Sequence, residues 1–190
     1  YEIGAKTTLF DRLVTLDLAL YYMDWQDVQQ QLFVPYQGQE VTALVNGESA
    51  SGIGADFALV VRPTADVSFG VNASWNDLST DAPIFIGDDV VLFEKGERLN
   101  YSPEITVGAF ADATFPVGKS GYEGQLSLSG YYTSEQNFHG FAGANAYLNP
   151  GESVTMTRVS VSLLSPNNWT AAVFVDNATD EYPQMPTVSG

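Results

Sequence analysis

The 190-residue chain carries 23 acidic side chains against 7 basic ones, a net charge of −16, which excludes a nucleic-acid groove because phosphate binding is driven by Lys and Arg. It has no Cys, so disulfide frameworks and thiolate metal sites are excluded too. Apolar residues make up 45% and charged residues only 16%, below the roughly 25% charged share of soluble domains, yet no run of about 18 apolar residues provides a transmembrane helix.

The pattern is one of strands. The first is expected over about Tyr1 to Leu9 and closes at the turn Phe10-Asp11-Arg12; the second runs from Leu13 to about Gln30. In it Leu16, Leu18, Leu20 and Tyr22 fall on one face, and Thr15, Asp17, Ala19 and Tyr21 on the other. A long loop is expected around Pro35 to Glu40. The third strand, near Ala43 to Arg62, sets Ile53, Ala55, Phe57, Leu59 and Val61 against Asp56 and Ala58, and ends at Arg62-Pro-Thr-Ala-Asp66, where Pro fixes φ.

The fourth alternates Val67, Phe69, Val71, Ala73 and Trp75 with Ser68, Gly70, Asn72 and Ser74. A loop of about twenty residues with the acidic Gly87-Asp-Asp89 follows. The fifth starts near Leu99, shows Ile105, Val107, Ala109, Ala111 and Ala113 against Glu104, Thr106, Phe110 and Asp112, and closes through Pro116 to Gly121. The sixth alternates Leu126, Leu128, Gly130 and Tyr132 with Gln125, Ser127, Ser129 and Tyr131, before a loop from Gln136 to about Pro150. The seventh sets Val159, Val161 and Leu163 against Arg158, Ser160 and Ser162. After the turn Ser165-Pro-Asn-Asn168, the eighth sets Trp169, Ala171, Val173 and Val175 against Thr170, Ala172 and Phe174.

Tight turns thus alternate with long polar loops, as in a membrane-spanning antiparallel β-barrel with short periplasmic turns and long extracellular loops. A strand that shows lipid every second residue averages to a mean hydropathy near zero, here −0.03. A soluble carbohydrate-binding β-sandwich shares the alternation. Strands of about fifteen residues favour the barrel, since sandwich strands usually have about 5–6. Tyr21, Tyr22, Trp25, Trp75, Tyr131, Tyr132 and Trp169 fit two aromatic girdles.

Tyr1-Glu-Ile-Gly-Ala-Lys-Thr-Thr-Leu-Phe-Asp11, Leu20-Tyr-Tyr-Met-Asp-Trp-Gln-Asp-Val-Gln29, Asn46-Gly-Glu-Ser-Ala50 with Gly52, Leu99-Asn-Tyr-Ser-Pro-Glu104 and Val175-Asp-Asn-Ala-Thr-Asp-Glu-Tyr182 follow one another in the order seen in a known family. Together they resemble the C-terminal barrel portion of TonB-dependent outer-membrane receptors. That resemblance implies a location in the bacterial outer membrane and a family fold of twenty-two strands around an N-terminal plug. It also implies import of a scarce nutrient, such as a ferric siderophore, a similar chelate or a glycan, with energy from the TonB complex acting through the plug. On this reading residues 1–190 are a partial barrel domain without plug or final strand. The rival reading is a complete eight-stranded outer-membrane structural or adhesion protein, whose first and last strands would pair.

No catalytic constellation is visible, so neither an enzyme nor a cofactor is expected. The single His139, in Phe138-His-Gly-Phe141, lies on a long loop, where aromatic and His side chains suit a chelate or glycan. Tyr36, Phe138, His139 and Phe141 are therefore the candidate ligand contacts, against the alternative of solvated loop residues. Asp17, Asp56, Glu104, Asp112 and Arg158 are the expected lumen-lining charges. Asp88 and Asp89, with Glu94 and Glu97, offer oxygens to Ca²⁺ but lack the alternating ladder of a dedicated loop, so no metal is assigned. Asn72, Asn168 and Asn177 head glycosylation sequons, though Asp176 to Asp180 reads better as a strand end closed by side-chain turns.

Overall fold

The computed structural model describes residues 1–36, 39–86, 90–142 and 145–184; of these, the side chains of 32–36, 39–40, 42–43, 45, 86, 141–142 and 145 lie outside the description. Among the described residues there is no helix, and eight long strands form one antiparallel meander. These are β1 (Glu2–Leu9), β2 (Val14–Gln26), β5 (Ser49–Val61), β6 (Val67–Asn76), β10 (Ile105–Val117), β11 (Tyr122–Thr133), β14 (Val154–Leu164) and β15 (Thr170–Asp176), in that spatial order. The short β7 (Ser79–Thr80) adds to β5. Three two-stranded hairpins complete the chain: β3 (Gln29–Tyr36) with β4 (Gln39–Asn46), β8 (Ile84–Ile86) with β9 (Val90–Phe93), and β12 (Asn137–Ala142) with β13 (Asn145–Pro150).

The four short connections lie at one end of the sheet and have the chemistry tight turns demand. Asp11 and Arg12 take left-handed φ of 52° and 74°, matching the strand twist, and Leu13 N–H closes the turn on the Phe10 carbonyl at 3.0 Å. Gly118 and Gly121 supply φ of 70° and 75° between β10 and β11, and Asn168 takes 62° between β14 and β15. The three long connections emerge from the opposite end.

Register turns each strand's alternation into a continuous surface. Leu16 pairs with Leu59, Leu59 with Val71 and Val71 with Ala109. A second row runs Phe69, Ala111, Leu128, Val159 and Val175, and a third Ala113, Leu126, Val161 and Val173. Because directly opposed residues share a face, one side of the whole sheet is an apolar belt. The other side carries Lys6, Asp17, Asp56, Asn72, Asp112, Ser127, Ser160 and Arg158.

Nothing covers the belt among the described residues. Leu18, Phe69 and Leu128 are 42%, 44% and 42% exposed, which removes the sandwich reading, where they would be packed against a second sheet. The edge strands β1 and β15 do not pair with each other, so the sheet is open, contrary to the closed eight-stranded alternative.

Aromatic side chains rim the belt. Tyr22, Trp75 and Tyr132 stand on its long-connection side, and Tyr122 and Trp169 meet edge-on on its short-turn side with ring centroids 5.9 Å apart. Tyr122 and Tyr132 are ten positions apart on β11. With a rise of about 3.3 Å and a tilt of about 40°, the girdles stand about 25 Å apart in depth, the height of an outer-membrane apolar band. Tyr21, Trp25 and Tyr131, expected in the girdles, point instead to the polar face, because they fall on the opposite phase of the two-residue period.

The expected long strands are interrupted where they leave the wall. The second ends at Gln26: Asp27 takes φ of 53° and donates to the Glu48 carbonyl at 2.7 Å, while Gly47 N–H meets the Val28 carbonyl at 2.6 Å. Beyond this break the chain continues as β3 and β4. The expected third strand is correspondingly β4 and β5, and the fifth begins at Ile105, six residues after Leu99.

Candidate ligand vestibule

The largest fully buried side chains among the described residues are Phe93, Phe138, Val28 and Thr80, and these four lie on the long connections. The wall presents both faces outward, so the dry packing is concentrated where the connections meet. Val28, Ala50 and Leu99 form one cluster against Leu78. Ile84, Leu92, Phe93 and Phe138 are buried on the second and third connections.

Polar clamps fix this assembly to the sheet rim. The Arg98 guanidinium donates to the Asn76 carbonyl at 3.0 Å, the Asn76 side-chain oxygen at 2.6 Å and the Pro103 carbonyl at 3.1 Å. Asp81 accepts from Ser49 at 2.7 Å and Ser51 at 2.5 Å, and these hydroxyls hold its carboxyl below the ordinary value.

His139 joins the second and third connections. Its ring stacks on Phe93 with centroids 4.3 Å apart, and Nδ1 lies 3.5 Å from the Glu97 carboxylate. The Asn100 amide grips the backbone of the same residue, donating to the His139 carbonyl at 2.9 Å and accepting from its N–H at 2.6 Å. The side chain thus acts as a short piece of strand for an otherwise unpaired backbone. Burial pushes the His139 pKa down, while Glu97 and a hydrogen bond to Leu92 pull weakly the other way.

On the opposite face of the β12–β13 hairpin, Phe138 lies between Tyr101 and Tyr147, with centroids 5.5 and 6.4 Å away. Tyr101 takes φ of 58°, a left-handed conformation costly for a bulky residue, and its ring remains half exposed. Burial and the neighbouring Tyr147 raise its pKa.

The structure divides the candidate ligand contacts. Phe138 and His139 are 1% and 6% exposed, inside the packing of the connections. Tyr36 ends β3 and Phe141 lies in β12, with side chains outside the described residues. The hairpins carrying all four pack against each other, β12 on β3.

The expected lumen charges occupy the polar face, with one exception. Asp17 pairs with Lys6 at 2.9 Å, and Arg158 pairs with Asp176 at 3.1 Å while lying 4.4 Å from the centre of the Phe174 ring. Asp56 stands opposite Ala19 and Ser74, and Asp112 opposite Ser68 and Ser127. Glu104 precedes β10 and sits at the rim, accepting from the Trp75 indole at 3.2 Å.

Asp88 and Asp89 lie outside the described residues. Glu97, considered with them for Ca²⁺, is engaged by the Glu94 N–H at 2.7 Å and by His139, and no metal-binding cluster occurs among the described residues. Asn168 sits in a turn, and Asn177 exchanges hydrogen bonds with the Glu181 backbone at 2.9 and 3.1 Å, closing the strand end as expected.

Sequence reasoning did not single out Phe93, Arg98, Asn100 or Tyr101 for this assembly. The last two lie in Leu99-Asn-Tyr-Ser-Pro-Glu104, quoted above for its resemblance, and only the pairing with a residue 39 positions away gives Asn100 its role.

Compared with known proteins, residues 1–178 match the family model described as TonB dependent receptor-like, beta-barrel. No curated protein and no solved structure matches the chain significantly. The match spans every strand of the meander, and it agrees with the belt, the girdles and the alternation of short and long connections. The chain therefore belongs to the β-barrel family of TonB-dependent receptors, proteins of the bacterial outer membrane, and the apolar face of its sheet is the one that meets lipid.

Proposed function

We propose that the chain forms a sector of the wall and ligand vestibule of a receptor that imports a scarce nutrient, a ferric siderophore, a similar chelate or a glycan, with energy from the TonB complex. The observation that carries this reading is the packing of all three long connections into one body at one end of a lipid-facing sheet. A passive wall has no need of such a body. A receptor needs one to hold ligand-contacting residues in place.

In this reading residues 1–190 are part of a larger barrel, whose further strands pair with the open edges of β1 and β15. Energy coupling acts through a plug. Ligand contact belongs to the β3–β4 and β12–β13 hairpins, which carry Tyr36, Phe138, His139 and Phe141; contact through the buried Phe138 and His139 requires the hairpins to part. Asp17, Asp56, Asp112 and Arg158 keep the inner face wettable for a polar solute, with Glu104 at its mouth. No step of this function calls for catalysis.

The test is uptake by cells with and without the receptor, offered labelled ferric chelates and oligosaccharides one at a time. One solute class should lose uptake in the deletion strain and equally in a strain lacking TonB. Uptake that needs the receptor but not TonB would refute the proposal.

A further inference from the structure

Tyr131 stands on the polar face of the sheet, 52% exposed, and its hydroxyl has no hydrogen-bond partner among the described residues. Two other rings on that face have a local reason to be there: Tyr21 covers Gly54 and Phe110 covers Gly70, each where a Cβ would otherwise stand. The space over Gly108, opposite Tyr131 in register, is instead held by the Asn72 amide.

Tyr131 and Met156, paired across β11 and β14, form a ridge between two cavities on this inner face. The cavity nearer the long connections, about 530 Å³, lies over the Thr133–Val154 pair and is bounded by Gln136, Glu181 and Tyr182. The other, about 480 Å³, lies between the ridge and the next row, Ser129, Arg158 and Asp176. Each falls within the range of about 300–1,000 Å³ typical of ligand pockets. From Thr133 to Ser129 the crevice runs about 13 Å along the strand at a rise of about 3.3 Å per residue, long enough for a short oligomer. Its outer wall is set in advance. Asn177 closes the turn on the Glu181 backbone, and beyond it the Glu152 N–H meets the Gln184 carbonyl at 2.9 Å while the Gln184 N–H meets the Glu152 carboxylate at 2.9 Å. A preformed wall spares a ligand the cost of ordering it.

The chemistry of the lining selects the occupant. Tyr131 and Met156 offer an apolar surface, and hydroxyl, amide and carboxylate groups surround it. A pyranose is the complement of that pattern, with a face of C–H bonds and an edge of hydroxyls that both donate and accept. Arg158 is the one cation of the lining; it is paired with Asp176 at 3.1 Å and lies over the Phe174 ring. An anionic chelate therefore finds no free positive charge here and is repelled by Glu181.

We infer that this crevice binds an uncharged oligosaccharide, one sugar ring resting on Tyr131 and Met156 and the next beside Arg158 and Asp176. The inference rests on the import reading, whose solute class it names, and it adds a contact on the wall itself, apart from the hairpins.

The test is equilibrium binding of labelled neutral hexasaccharides of glucose, galactose, mannose and xylose to the purified full-length receptor in detergent, a measurement that needs no TonB. At least one should bind. Tyr131→Ala should weaken it about tenfold or more, as expected for a lost stacking surface. Tyr131→Phe, which keeps the ring, and Tyr132→Ala, which trims the lipid face one residue away, should leave it unchanged. If Tyr131→Ala fails to fold, Gln136→Ala/Glu181→Ala on the exposed rim should give the same loss. Binding of none of the four, or binding that neither set of substitutions weakens, overturns the inference. So does a ferric chelate that binds in their place, an outcome that leaves import through TonB standing. Conversely, intact sugar binding with uptake that ignores TonB would refute the import reading and leave the sugar site in place.

Discussion

Val71→Arg tests the wall from its centre. Val71 lies four residues from one end of β6 and five from the other. At about 3.3 Å per residue and a tilt of about 45°, it sits about 9–12 Å from each end in depth, near the middle of an apolar band about 25 Å tall. Its neighbours in register, Leu59 and Ala109, offer a guanidinium no partner. The cost should be about 2–4 kcal/mol, roughly a 30- to 700-fold shift in the folding equilibrium. The assay is urea unfolding of the full-length barrel in lipid vesicles, followed by tryptophan fluorescence. Ser74→Arg, on the opposite face across from Asp56, is the control and should change stability by about 0.5 kcal/mol or less. Equal effects of the two substitutions would refute the assignment of faces, and a neutral Val71→Arg would remove that face from hydrocarbon.

Three further outcomes follow from particular contacts. Asn100→Ala leaves the buried His139 N–H and carbonyl unpaired, at a local cost of about 1–3 kcal/mol; amide exchange over 137–142 should quicken while β10–β11 protection holds. Burial lowers the His139 pKa in the packed connections, so the opened connections, with His near its ordinary pKa of about 6.5, take up the proton first. Stability of the packed connections is therefore complete above that pH and falls as pH drops through it, and His139→Gln should flatten the exchange profile between pH 7 and 5. Gly70→Val drives a side chain into the Phe110 ring, 2.6 Å from the ideal Cβ, and into the Leu59 carbonyl at 2.9 Å. That should cost about 1–3 kcal/mol, with Phe110→Ala recovering only part of it in vesicle unfolding because the carbonyl cannot yield.

The wall was legible in the sequence because a lipid-facing strand must alternate along its whole length, and Val67 to Trp75 does so without a break. Turn chemistry placed the four short connections, since Asp11, Pro63, Gly118 and Asn168 each serve a local backbone requirement. The hairpins on the long connections were not legible. Gln29-Gln-Gln31 has no apolar phase, and β8 and β9 are three and four residues long, too short for a period to register. Phase also decided the girdles: Tyr21 and Tyr22 are equally aromatic, but only Tyr22 falls on the belt. His139 read as a solvated loop residue or a ligand contact, because its burial depends on Phe93, Glu97 and Asn100, which come from another connection. Such non-local packing leaves no periodic trace.

The most direct test of the account is spin-label accessibility along β6 in the reconstituted receptor, with single nitroxides from residue 67 to 75. Labels at 67, 69, 71 and 73 should show high collision rates with oxygen and low rates with a water-soluble nickel chelate, and labels at 68, 70, 72 and 74 should show the reverse. Positions 69, 71 and 73 shielded from both reagents would mean that protein, not hydrocarbon, covers the apolar face, and the account would be contradicted.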